Sequence, residues 1–100
     1  MGNFSLVCLR TFANDDLFGD GGADTIFGGT GHDFVFAGSG ADTAYGNEGN
    51  DTIFGEDGAD TISGDTGEDR LFGQSGPDTI DGGPNRDFIL GDDGNDTIHG

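Results

Sequence analysis

Aliphatic side chains recur along this chain at intervals of nine: Ile26, Val35, Ala44, Ile53, Ile62, Leu71, Ile80, Ile89 and Ile98. One apolar position in nine cannot make a helix stripe, which needs three or four apolar residues in every two turns. It suits very short strands instead, each sending one side chain into a core and each followed by a turn. Written in nines from residue 19, the units are GDGGADTIF, GGTGHDFVF, AGSGADTAY, GNEGNDTIF, GEDGADTIS, GDTGEDRLF, GQSGPDTID, GGPNRDFIL and GDDGNDTIH. Glycine holds the first position except at Ala37 and the fourth except at Asn85. Asn is the residue best able to replace Gly at positive φ, so the turn at 82–87 is expected to survive. The sixth position is always Asp: Asp24, Asp33, Asp42, Asp51, Asp60, Asp69, Asp78, Asp87 and Asp96. A degenerate unit, RTFANDDLF at 10–18, keeps Asp15 and Leu17 without the glycines. The chain therefore divides into a leading segment, 1–18, and a repeat array, 19–100.

Composition narrows the function classes. One hundred residues bound a single small domain with little room for a core. The net charge of −17, with only Arg10, Arg70 and Arg86 positive, repels nucleic acid and anionic membranes. It also repels itself, so compaction needs a neutralising cation. Low complexity with many Gly and Asp commonly means disorder, but a disordered tract has no reason to hold β-branched residues in phase with Asp over nine units. Cys8 is the only cysteine, which excludes an intrachain disulfide, and reads as a small buried apolar side chain. The opening MGNFSLVCLRTF has neither the basic start nor the apolar run of a signal peptide, and Leu6 breaks the N-myristoylation pattern. No stretch is long enough to span a membrane.

These units resemble G-G-x-G-x-D-x-U-x, the nonapeptide repeat of RTX (haemolysin-type calcium-binding) proteins. The resemblance spans residues 19–99 and rests on nine near-consecutive matches. It implies an all-β parallel β-roll, a two-sheet solenoid with 18 residues per coil. Alternate units then form two stacks. One carries Asp33, Asp51, Asp69 and Asp87, preceded by Asp15; the other carries Asp24, Asp42, Asp60, Asp78 and Asp96. Carboxylates stacked about 4.8 Å apart repel unless a cation lies between them. Calcium suits such turns because it accepts six to eight oxygens, carbonyls included, in flexible geometry. Magnesium prefers to keep its water, and zinc wants His or Cys.

In the family, one turn gives the carbonyls of its second and fourth positions, the next turn those of its first and third, and both give their Asp. Carried onto this chain, Asp42, Asp60 and the carbonyls around Gly38, Gly40, Gly55 and Asp57 hold one ion. The equivalent turns bring in Gly28, Gly31, Gly46, Gly49, Gly58, Gly64, Gly67, Gly73, Gly76, Gly91 and Gly94. Pairs 24/42, 42/60, 60/78, 78/96, 33/51, 51/69 and 69/87 give about seven Ca2+ sites. Pro84, Asn85 and Arg86 put 69/87 in doubt, with Arg86 a candidate to pair with a neighbouring carboxylate. The leading unit lacks the glycines for a site at 15/33.

Other readings carry less. His32 and His99 stand alone at non-equivalent positions and read as surface residues. Asn3, Asn50 and Asn95 begin N-x-[ST] matches, but the last two follow from Asn preceding the repeat's own Asp-Thr. The third positions, Gly21, Thr30, Ser39, Glu48, Asp57, Thr66, Ser75, Pro84 and Asp93, form no ice-binding rank. Thr25, Thr43, Thr61, Thr79 and Thr97 read as an ordinary exposed strand ladder. No nucleophile and base stand in a recognisable motif, so no enzyme activity is expected. The expected role is calcium-triggered folding and stability of a secreted RTX-type protein. The alternatives are an adhesive or partner-binding repeat and the remnant of an exported protease, lipase or toxin. The chain stops at Gly100, the first residue of an eleventh unit, as a fragment, a truncated gene product or a designed array would.

One surface stands out. With position eight inward, positions seven and nine point outward. The sheet of Asp16, Thr52 and Arg70 then also shows Phe18, Phe34, Phe36, Phe54, Phe72, Phe88 and Leu90. Such a patch exceeds what monomers usually expose, and is expected to bury against a second copy or a neighbouring domain unless position nine curls into the next turn and packs locally.

Overall fold

The computed structural model describes residue 14 and residues 16–100. Cys8, Arg10 and Asp15 lie outside the described residues, as do the expectations placed on them. Ten strands of three residues follow one another: β1 (Asp16–Phe18), β2 (Thr25–Phe27), β3 (Phe34–Phe36), β4 (Thr43–Tyr45), β5 (Thr52–Phe54), β6 (Thr61–Ser63), β7 (Arg70–Phe72), β8 (Thr79–Asp81), β9 (Phe88–Leu90) and β10 (Thr97–His99). Odd-numbered strands form one sheet in the order β1-β3-β5-β7-β9, and even-numbered strands a second, β10-β8-β6-β4-β2. All pairings are parallel. Val35 lies opposite Ile53, Ile53 opposite Leu71, and Ala44 opposite Ile62, so each coil takes 18 residues. This is the two-sheet parallel β-roll that the resemblance to the RTX repeat implied. The degenerate leading unit joins it through β1, which pairs in register with β3.

Position eight points between the sheets. Ile26, Val35, Ala44, Ile53, Ile62, Leu71 and Ile80 are fully buried together with Ala37, while Leu17 and Ile89 pack against them partly exposed. Each large aliphatic side chain so buried contributes about 1.5–3 kcal/mol. With one such residue per strand the core is thin, and the backbone ladder carries the register. The Thr43 and Thr61 N–H groups donate to the carbonyls of Asp24 and Asp42 in the preceding coil, at 2.9 and 2.8 Å. The Gly28 and Gly55 N–H groups donate to Tyr45 and Phe72 carbonyls in the following coil, both at 2.8 Å.

The two outer faces differ. The even sheet shows the Thr ladder. On the odd sheet the rings of Phe18, Phe36, Phe54 and Phe72 stack from strand to strand, with centroids 5.1, 5.1 and 4.9 Å apart. Position nine therefore points outward, yet ring on ring leaves Phe36, Phe54 and Phe72 half-buried. Phe18, Phe34, Phe88 and Leu90 remain exposed.

Candidate metal centres

Each turn between strands is held by two residues with positive φ. In the second position these are Asp20, Asn47, Glu56, Asp65, Gln74 and Asp92, with φ of 62–71°, together with Gly29, Gly38 and Gly83. In the fourth position glycines take φ of 96–110° and Asn85 takes 85°, so the turn at 82–87 does survive the loss of its glycine. The fourth position has a second requirement. A Cβ on Gly58 would run into the carbonyl oxygen of Gly40 one coil earlier, and a Cβ on Gly67 into that of Gly49.

The same close approaches reveal which way the carbonyls face. Oxygens of the fourth position (Gly22, Gly40, Gly49) and of the second (Asp20, Asp65) lie against the following coil. Oxygens of the first position lie against the preceding one: that of Gly46 would be 2.8 Å from a Cβ on Gly28, and that of Gly73 3.0 Å from a Cβ on Gly55. Carbonyl oxygens from both coils thus face the gap between them. Those of Gly38, Gly40, Gly55 and Asp57 accept no backbone hydrogen bond among the described turns.

The Asp side chains link the coils. Backbone N–H of Asp24 donates to Asp42 Oδ1 at 2.8 Å, Asp42 to Asp60 at 2.9 Å, and Asp60 to Asp78 and Asp78 to Asp96 at 2.8 Å. In the other stack Asp33 donates to Asp51, Asp51 to Asp69, and Asp69 to Asp87, each at 2.8 Å. These seven pairs are the seven that the resemblance implied, and 69/87 is closed like the rest despite Pro84 and Asn85. Each accepting carboxylate uses only Oδ1 in these bonds. Oδ2 of Asp42, Asp51, Asp60, Asp69, Asp78 and Asp87 is buried with no hydrogen-bond partner. It points at the first-position glycine of its own unit, where a Cβ on Gly46 would come 2.6 Å from Asp51 Oδ2 and one on Gly55 2.7 Å from Asp60 Oδ2.

A buried carboxylate with an idle oxygen is costly as an anion. Burial pushes the Asp51 carboxyl up to about 8, against the lowering effect of the Asp33 N–H bond, with the neighbouring Asp69 and Asp33 charges adding to the rise. Burial likewise raises Asp60 and Asp69 to about 7 and Asp42 and Asp78 to about 6. A cation beside these side chains would favour their ionised form. The donor set is oxygen only: two carboxylates and several carbonyls per gap, with no cluster of three or more His, Cys, Asp or Glu among the described residues. That set fits a hard divalent cation of high coordination number and not zinc.

Sequence reasoning missed one ladder. Along the turns of the Asp33 stack, His32 N–H donates to Asn14 Oδ1 at 2.7 Å, Asn50 N–H to His32 Nδ1 at 2.9 Å, and Glu68 N–H to Asn50 Oδ1 at 2.8 Å. His32 is exposed, as expected of a surface residue, but its ring accepts a structural bond. The available signal was the 18-residue spacing of polar fifth positions, against Ala23, Ala41 and Ala59 in the other stack. Arg86 forms no ion pair among the described residues; it lines a shallow cleft with Arg70, Glu68, Asp69, Asp87 and Phe88.

Fold and turns together define a parallel β-solenoid built on stacked Asp-and-glycine turns. The family model for the RTX calcium-binding nonapeptide repeat (4 copies) matches residues 11–44, 36–71 and 63–98, and the chain belongs to that family, known for calcium binding in a β-roll. No curated protein and no solved structure matched the chain. No helix among the described residues is long and apolar enough to cross a membrane.

Proposed function

We propose that this chain is a calcium-triggered folding and stability module of a secreted protein, with one ion in each of the seven gaps 24/42, 42/60, 60/78, 78/96, 33/51, 51/69 and 69/87. The observation that carries the reading is the row of buried, unpartnered Asp Oδ2 atoms in gaps that carbonyl oxygens also face. In each gap the two Asp side chains would supply negative charge, and the second- and fourth-position carbonyls of one turn and first- and third-position carbonyls of the next would complete the shell. A bound divalent cation supplies the positive charge that lets stacked carboxylates remain ionised. The chain's own groups do the rest. Glycines at positions one and four admit the close stacking, and the Asp N–H to Oδ1 bonds fix the register.

Seven divalent ions would offset most of the −17 charge, so binding and folding are one event. RTX repeats are typically found in secreted proteins, and extracellular modules work at 10⁻⁴–10⁻³ M calcium. That supports a chain unfolded at low calcium and folded outside the cell. The reading assigns binding and structure to these residues and no catalysis. Native mass spectrometry in calcium tests the stoichiometry: about seven ions per folded chain is expected, and a folded chain holding none or one would contradict it.

A further inference from the structure

The aromatic face of the odd sheet carries two charges, both at position seven: Asp16 on β1 and Arg70 on β7. Both side chains are exposed, and neither forms an ion pair among the described residues. The remaining outward residues of that sheet are Phe18, Phe34, Phe36, Thr52, Phe54, Phe72, Phe88 and Leu90. A lone cation and a lone anion on an apolar face, separated by the intervening β3 and β5, are symmetric about the line midway between those two strands.

We infer that this face binds a second copy of the same chain, through a two-fold axis parallel to the strands and lying between β3 and β5. Such an axis keeps strand direction and reverses coil order, so β1 meets β7 of the second copy and β3 meets its β5. Asp16 then faces Arg70 of the other chain, twice per dimer. The stacked rings meet likewise, Phe18 over Phe72 and Phe36 over Phe54. The flanking turn residues set no like charges against each other: Asp20 faces Gln74, Glu56 faces Gly38, and Glu68 faces Asn14. Centring the axis on β5 instead would place Asp16 against Phe88 and leave both charges unpaired. An axis along the roll would set β1 against β1 in reversed direction, so Asp16 would face Phe18 and not Arg70. Charge complementarity therefore selects one register.

The broad sides of the roll, within extents of 31 × 26 × 13 Å, are on the order of the ~800 Å² that each partner gives to a standard interface. The dimer rests on the calcium-loaded state proposed above, because bound cations must first offset the repulsion between two strongly acidic chains.

Sedimentation of the full chain in saturating calcium tests this, with circular dichroism confirming the folded state of every sample. The wild-type chain should form a concentration-dependent dimer. Asp16→Arg alone and Arg70→Asp alone should each weaken it by at least about tenfold, through two like-charge contacts. Mixed at equal concentration, the two variants should recover the dimer, since each contact then pairs opposite charges. Should a reversal fail to fold, Asp16→Asn and Arg70→Gln carry the same test with a smaller, several-fold loss. A folded wild-type chain that stays monomeric overturns the inference and leaves the face to a partner of other sequence. Single variants that dimerise as tightly as wild type, or a mixture no tighter than its components, overturn it too. A chain whose β signal is the same with and without calcium refutes the calcium reading separately, while the sedimentation arms still decide the dimer.

Discussion

Asp60 and Asp96 hold the same position in the repeat, yet their surroundings differ. Asp60 is 2% exposed and accepts from Asp42 N–H while giving its own N–H to Asp78. Asp96 accepts from Asp78, but its own N–H has no Asp beyond it in the described chain. The core repeats the contrast: Ile62 is 1% exposed and Ile98 46%. The same position of the repeat is therefore worth different amounts in different places. Stability belongs to the contact between coils and not to the coil, as in other one-dimensional arrays.

The largest break should come from a fourth-position glycine. Gly58→Ala puts a Cβ into the Gly40 carbonyl in the middle of the roll, at a φ of 109° that side chains rarely adopt. Folding should be lost even at high calcium, whereas Gly94→Ala, which meets Gly76, should release only the last coil. Hydrogen exchange resolved by segment distinguishes the two; equal protection across both variants would contradict the contrast.

Next in size is Asp60→Ala against Asp96→Ala. Each removes one N–H to carboxylate bond, worth about 1.5–3 kcal/mol. Asp60 also serves the gaps on both sides and Asp96 one. The calcium midpoint should rise severalfold more for Asp60→Ala, and matched midpoints would disprove the stacking order.

The core gives a smaller pair. Ile62→Ala should cost about 2–5 kcal/mol as a buried cavity, and Ile98→Ala well under half of that. Urea unfolding in calcium measures both.

The smallest effect is in the calcium-free chain. Asp51, Asp60 and Asp69 have carboxyls raised to about 8, 7 and 7 in the folded state, from an ordinary 3.8. The folded form thus binds more protons than the unfolded one. Its contribution is full below about pH 4 and is lost as pH rises through 7 to 8. Without calcium, β signal should be stronger at pH 4 than at pH 8; the reverse order would refute the burial of these carboxyls.

Much of this was legible in the chain itself. The period of nine placed every strand centre, and the resemblance to the RTX repeat, through its coil of 18 residues, implied the Asp pairs. The second-position conformation was not legible, since Asp, Asn, Glu and Gln occur there in six of nine units and disguise a shared positive φ. Nor was the division of labour within Asp42, Asp51, Asp60, Asp69, Asp78 and Asp87, one oxygen bonded and one idle, because it depends on a neighbour 18 residues away. Phe36, Phe54 and Phe72 show the same limit. Alternation sent them outward, but only the 5 Å ring-to-ring stacking shows how far they cover one another.

The central claim, that calcium binding in the gaps between coils drives this chain to fold, is tested most directly by far-ultraviolet circular dichroism at pH 7 during a calcium titration, with magnesium as control. A disordered spectrum that converts cooperatively to β structure at millimolar calcium, and does not convert in magnesium, is the predicted result. A spectrum that is unchanged by calcium, or already β-rich in chelator, would contradict the account.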